Sequence, residues 1–98
     1  MKQDALARRY TVSGRVQGVG FRNYVEHVAE KIGLDGFVRN RRDGCVEVYA
    51  IGKPEQLKQL RIALERGPIM SYVAGVQEEP DALDARYLGN FTIEFTAE

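Results

Sequence analysis

In 98 residues the sequence has one cysteine, one histidine and no tryptophan. A single cysteine, Cys45, excludes an internal disulfide and fits a reducing compartment. With one histidine, and acids at spacings that match no metal-ligand pattern, the chain offers no candidate metal site. No cofactor is expected. Long apolar runs are missing as well: no stretch approaches a membrane span, and the opening MKQDALARRY has no apolar core of signal-peptide length. A cytoplasmic protein with no membrane partner is therefore expected. Net charge is absent too, since 14 Lys and Arg balance 14 Asp and Glu. That excludes the broad basic footprint of a nucleic-acid-binding protein. The length leaves room for one hydrophobic core, so a single domain over residues 8–98 is expected, with a flexible tail over residues 1–7 and a monomeric state.

The charge that is present is unevenly placed. Residues 1–44 carry nine Lys or Arg against five acids, and residues 45–98 carry five against nine. An anionic ligand belongs with the first half.

Hydrophobic periodicity orders the chain. Tyr10 and Val12 alternate with Arg9, Thr11 and Ser13, which is strand spacing. Phe21, Tyr24, Val25, Val28, Ala29 and Ile32 recur at three and four, which predicts an amphipathic helix stopped by Gly33. GFVRN (36–40) and CVEVYAIG (45–52) read as two strands. Arg42-Asp43-Gly44 between them predicts a tight hairpin in which both turn positions take positive φ. Pro54 opens a second helix with Leu57, Leu60 and Leu64 inward, ended by Gly67-Pro68. SYVAGVQ (71–77) reads as a fourth strand and Pro80 to Asn90 as polar loop. FTIEF (91–95) reads as a short last strand with Phe91, Ile93 and Phe95 on one face. This order predicts an α+β fold of the ferredoxin-like split βαβ type, an antiparallel sheet with two helices on one face.

Between the first strand and the first helix lies SGRVQGVGFRNYV (13–25). Its glycines serve a tight turn, or they let backbone N–H groups converge on an anion beside a helix N-terminus. Neither nucleotide-loop fingerprint is present, because no Lys-Ser/Thr follows Gly20 and the third glycine of the dinucleotide pattern is missing. Arg22 falls in the first helical turn, where a cation opposes the helix dipole by roughly 0.3–1 kcal/mol. No nearby carboxylate offsets it, and its guanidinium fork suits two phosphate oxygens. A bond to neighbouring carbonyls is the other reading. In a split βαβ unit the first and second strands end at the same sheet edge, which brings Asn40 beside the glycine loop. Asn40 is a turn former there, or a carboxamide that holds a water by donating and accepting at once. Arg39, Arg41 and Arg42 around it fit steering of a small anion. His27 falls on the polar helix face, and Cys45 has no partner base. An anion cradle, an arginine and an asparagine without a strong base suit only a labile bond.

GRVQGVGFR (14–22) followed by GFVRNRRDGCVEVYAIG (36–52) resembles the acylphosphatase family, over nearly the whole chain from about Arg8 to Phe95. The resemblance implies metal-independent hydrolysis of the carboxyl-phosphate bond of small acylphosphates, giving a carboxylate and inorganic phosphate. By position it implies Arg22 as the phosphate-binding arginine and Asn40 as the residue that orients water. It places the phosphate cradle on the backbone amides of Val16, Gln17, Gly18, Val19, Gly20 and Phe21. Three other readings compete, one of them a domain that serves a larger assembly handling carbamoyl phosphate. A non-catalytic phosphate or phosphometabolite-binding module would use the same cradle. An RNA-binding domain would need the aromatic-rich strand that GCVEVYAIG, with Glu47 in its middle, does not supply.

Overall fold

The computed structural model describes residues 4–96. The chain runs β1 (Leu6–Arg15), α1 (Phe21–Ile32), β2 (Asp35–Asn40), β3 (Val46–Gly52), α2 (Pro54–Arg66), β4 (Tyr72–Asp81), a 3₁₀ turn (Ala85–Tyr87) and β5 (Phe91–Ile93). The five strands lie in the order β4-β1-β3-β2-β5. β3 is antiparallel to both β1 and β2, so β1 and β2 run the same way and end at one edge of the sheet. This is the ferredoxin-like α+β arrangement that the element order predicts.

The two faces of the sheet differ. Tyr10, Val12, Val38, Val46, Val48 and Ala50 meet Phe21, Val25 and Ala29 of α1 and Leu57, Leu60 and Leu64 of α2 in one buried core. Tyr24, Val28 and Ile32 pack against it half-buried, completing the helical stripe. The helices are also tied by the Tyr24 hydroxyl, which donates to the Ala63 carbonyl at 2.8 Å. On the other face Ala7, Phe37, Tyr49 and Ile51 form a smaller cluster, covered in part by Tyr87. The Tyr49 hydroxyl fixes that cover by donating to the Ala82 carbonyl at 2.7 Å and accepting from the Asp84 N–H at 2.8 Å.

Five details depart from the sequence reading. β1 begins at Leu6, with Ala7 buried, so the tail expected over residues 1–7 does not extend to these two; residues 1–3 lie outside the described residues. Pairing with Gly52 and Ile51 orders them. β5 pairs with β2 in parallel, so the sheet is mixed rather than wholly antiparallel. The chain leaves β4, crosses the helix-free face and comes up beside β2 in the same direction. Pro80, expected in a loop, is inside β4 and opposite Arg8. β4 is an edge strand, where a missing N–H can face solvent at no loss to the ladder. The β2–β3 hairpin has a three-residue loop in which Gly44 has φ +94° and Asp43 is not left-handed. Arg41 N–H donates to Cys45 O at 2.8 Å and Gly44 N–H to Arg41 O at 3.2 Å, the bonding of a turn closed by a glycine bulge. Finally, β5 stops at Ile93, and Phe95 is 95% exposed rather than on the buried face with Phe91.

Candidate active site

β1 and β2 deliver their C-terminal ends to one edge, and the candidate residues collect there. Val16, Gly18, Gly20, Phe21, Arg22, Asn23, Asn40 and Ile93 line a cavity of about 180 Å³ at the N-terminus of α1. The loop between β1 and α1 is anchored at both ends by buried side chains, Val16 and Phe21. Between these anchors the backbone turns through Gly18 at φ +75° and Gly20 at φ +78°. A Cβ on either glycine would meet open space, so the left-handed backbone, not crowding, demands glycine there.

The two helix N-termini are built differently. α2 has Pro54 in its first turn with Glu55, and the Gln56 carboxamide accepts from Lys53 N–H at 2.8 Å. α1 has Gly20 at its cap, no side-chain cap and no acid in its first turn. Its first orphan N–H groups, and the partial positive charge they carry, stay available. Among the described residues no protein acceptor takes the N–H groups of residues 17–21. Arg22 and Asn40 are half-buried, and their side chains form no hydrogen bond or ion pair with any described residue. Such a concentration of donors without acceptors suits an anion.

Gln17 has a different part from its neighbours. Its Nε2 donates to Arg41 O at 2.7 Å and to Cys45 O at 2.9 Å. Both amide protons are thus committed to the hairpin that follows Asn40, and the loop is clipped to β2–β3 at the point where the two halves of the site meet. The Gln17 side chain itself does not line the cavity. Asn23, in the first turn of α1, does line it and was not among the sequence candidates; its spacing from Phe21 and Arg22 places it on the exposed helix face.

The arginines around Asn40 are largely engaged. Arg39 Nε donates to Glu47 Oε1 at 2.8 Å, and its guanidinium sits 4.9 Å from the Phe37 ring centroid, on the helix-free face. Arg41 pairs with Asp43 at 3.0 Å, and Arg42 has a partner of its own. The unpaired cation at the cavity is Arg22, so the steering expected of Arg39 and Arg41 is offset by adjacent acids. Glu47 is 6% exposed and bridges Arg9 and Arg39. Burial pushes its carboxyl up, but hydrogen bonds from Arg39 and Arg9 together hold it below the usual carboxylate range. Burial also raises the Cys45 thiol, helped by the Asp43 carboxylate. His27 is exposed on the outer face of α1. Among the described residues no cluster of His, Cys, Asp and Glu could hold a metal ion, and no helix is long and apolar enough to cross a membrane.

A ferredoxin-like sheet with a donor-lined loop at the shared end of β1 and β2 defines the class of domain. The acylphosphatase family model matches residues 8–93. An acylphosphatase of Koribacter versatilis is 53% identical over 96 residues, which cover 98% of this chain and 86% of that protein. The structure of an acylphosphatase from Coxiella burnetii superposes with TM-score 0.88 at 33% identity, covering 96% of this chain and all of the other. The crystal structure of acylphosphatase from Bacillus subtilis gives TM-score 0.85 at 37% identity, covering 91% of this chain and 98% of that one. The chain belongs to the acylphosphatase family, enzymes that hydrolyse acylphosphates.

Proposed function

We propose that this protein hydrolyses the carboxyl-phosphate bond of small acylphosphates without a metal, with Arg22 and the 16–21 backbone holding the phosphoryl group and Asn40 orienting water. The observation that carries the reading is the convergence of free donors: Arg22, Asn40 and the uncapped start of α1 border one cavity. Phosphoryl transfer through a loose transition state asks chiefly for positioning and charge stabilisation. The loop amides and the Arg22 fork supply both, taking negative charge on the equatorial oxygens as the bond to the leaving carboxylate lengthens. The Asn40 carboxamide oxygen accepts a hydrogen bond from the water, which turns the water's lone pair toward phosphorus. The water oxygen bonds to phosphorus, the P–O bond to the acyl oxygen breaks, and that electron pair leaves on the carboxylate. The water proton passes to a phosphoryl oxygen of the substrate, so the products are a carboxylate and protonated phosphate. A carboxylate leaves without an acid, which fits the lack of a base or acid at the cavity.

The test is hydrolysis of benzoyl phosphate in EDTA by the wild type, Arg22→Ala and Asn40→Ala. Rapid wild-type turnover is expected, with a loss of at least ~10²-fold in Arg22→Ala, by analogy with a deleted oxyanion donor. In Asn40→Ala turnover falls while inhibition by inorganic phosphate is retained, because Asn40 addresses water. In ¹⁸O-water the label enters phosphate. Saturable phosphate binding by a folded wild type without turnover would make the site a non-catalytic phosphate or phosphometabolite sensor instead.

A further inference from the structure

The phosphate cavity has an outlet of a particular character. Arg22 and Ile93 line it and also line a neighbouring groove of about 900 Å³, completed by Arg39, Thr92, Glu94, Phe95 and Thr96. Arg22 and Ile93 thus form a wall common to the cavity and the groove. An acyl group attached to a phosphoryl held at Arg22 has to lie somewhere along that shared border.

Two features of the groove bear on what fits. Phe95, just beyond β5, is 95% exposed, so its ring offers a face that the described residues leave almost uncovered. The Arg39 charge is already matched by the buried Glu47 carboxylate. Glu94, by contrast, accepts a hydrogen bond from the Thr92 hydroxyl at 3.5 Å but forms no ion pair with a described residue. With the Arg22 charge directed at the phosphoryl group and Arg39 paired to Glu47, an apolar ring beside a carboxylate without an ion-pair partner favours a flat, uncharged acyl group over one that ends in a second carboxylate.

We infer that the Ile93–Phe95 groove is the acyl subsite, selecting uncharged aromatic acylphosphates over those whose acyl chain carries a carboxylate. This inference rests on the catalytic reading of Arg22 and Asn40. The experiment compares kcat/KM for benzoyl, acetyl and succinyl phosphate in the wild type, Phe95→Ala, Glu94→Gln and Ile62→Ala, the last on the outer face of α2. Phe95→Ala is expected to lower the benzoyl-to-acetyl ratio about fivefold, the range of one aromatic pair. Glu94→Gln is expected to raise the succinyl-to-acetyl ratio about threefold at low salt, an effect that added salt erodes. Ile62→Ala keeps both ratios. Equal losses on all substrates in Phe95→Ala, or ratios unchanged in both groove variants, would overturn the subsite while leaving the enzyme intact. A wild type that hydrolyses none of the three would overturn the catalytic reading itself.

Discussion

Replacing Gln17 by alanine removes the two hydrogen bonds that clip the glycine loop to the β2–β3 hairpin. Each is worth about 0.5–1.5 kcal/mol net. The acceptors are not orphaned by the change, because Arg41 O keeps Gly44 N–H and Cys45 O keeps Arg41 N–H. The desolvation penalty of an unpaired carbonyl is therefore not added, and the expected loss is about 2 kcal/mol. For a domain of this size that lowers Tm by roughly 8–16 °C. Urea unfolding monitored by tyrosine fluorescence measures it, with an unchanged m-value expected because the same surface unfolds. Turnover reports a second consequence. Val16 and Phe21 still anchor the loop in the core, so the cradle persists while its placement against Asn40 loosens. A drop of about tenfold in kcat for benzoyl phosphate is expected, with phosphate inhibition changing far less. In an Asn40→Ala background the further loss in kcat is expected to shrink, because the alignment that Gln17 protects is already gone. A loss of stability below about 0.5 kcal/mol, or parallel losses in phosphate affinity and kcat, would refute the clip.

Gly36→Ala is expected to cost about 3–5 kcal/mol, seen as a large fall in the urea midpoint, because the added Cβ runs into the Tyr49 carbonyl on the paired strand at a φ of +136°. Glu47→Gln is expected to destabilise by about 2 kcal/mol at pH 7, since Arg39 loses its carboxylate partner while Arg9 keeps only Asp81. Its sign with pH follows from a folded-state pKa held below the ordinary 4.5. The carboxylate's contribution is full above that value and fades as pH falls through the folded one, so wild type and variant converge in acid. Unfolding curves at neutral pH and below pH 4 check this, and a gap that persists in acid would contradict it. Cys45, its thiol raised by burial, is expected to react with iodoacetamide more slowly at pH 8 than free cysteine does, by thiol titration.

The element order was legible in the sequence wherever one period ran uninterrupted. The stripe from Phe21 to Ile32 marks α1 to its observed ends, and Leu57, Leu60 and Leu64 between Pro54 and Gly67 mark α2, because burial on one face fixes the spacing of apolar residues. Where tertiary pairing outweighed local chemistry, the reading fell short. Pro80 sits in a strand because an edge tolerates it, and Leu6 and Ala7 are ordered by partners more than 40 residues away. β5 joins β2 in parallel because of the path the chain takes across the sheet, which no local pattern records. The hairpin residues were recognised, but which of them turned left-handed depended on a loop of three.

For the site, Arg22 stood out in the sequence because it opposes the helix dipole with no carboxylate beside it, and the glycine loop and Asn40 because the topology brings both to one sheet edge. Sequence alone gives residue types and their order, and with them the charge asymmetry, a helix start without an acid beside Arg22 and the absence of a strong base. Tertiary structure alone decided that Gln17 faces the hairpin rather than the cavity, that Arg39 is matched by Glu47 across the sheet, and that Asn23 and Ile93 join the wall. Those outcomes depend on which face a side chain takes and which distant strand lies opposite, and both are fixed only when the sheet closes around its core.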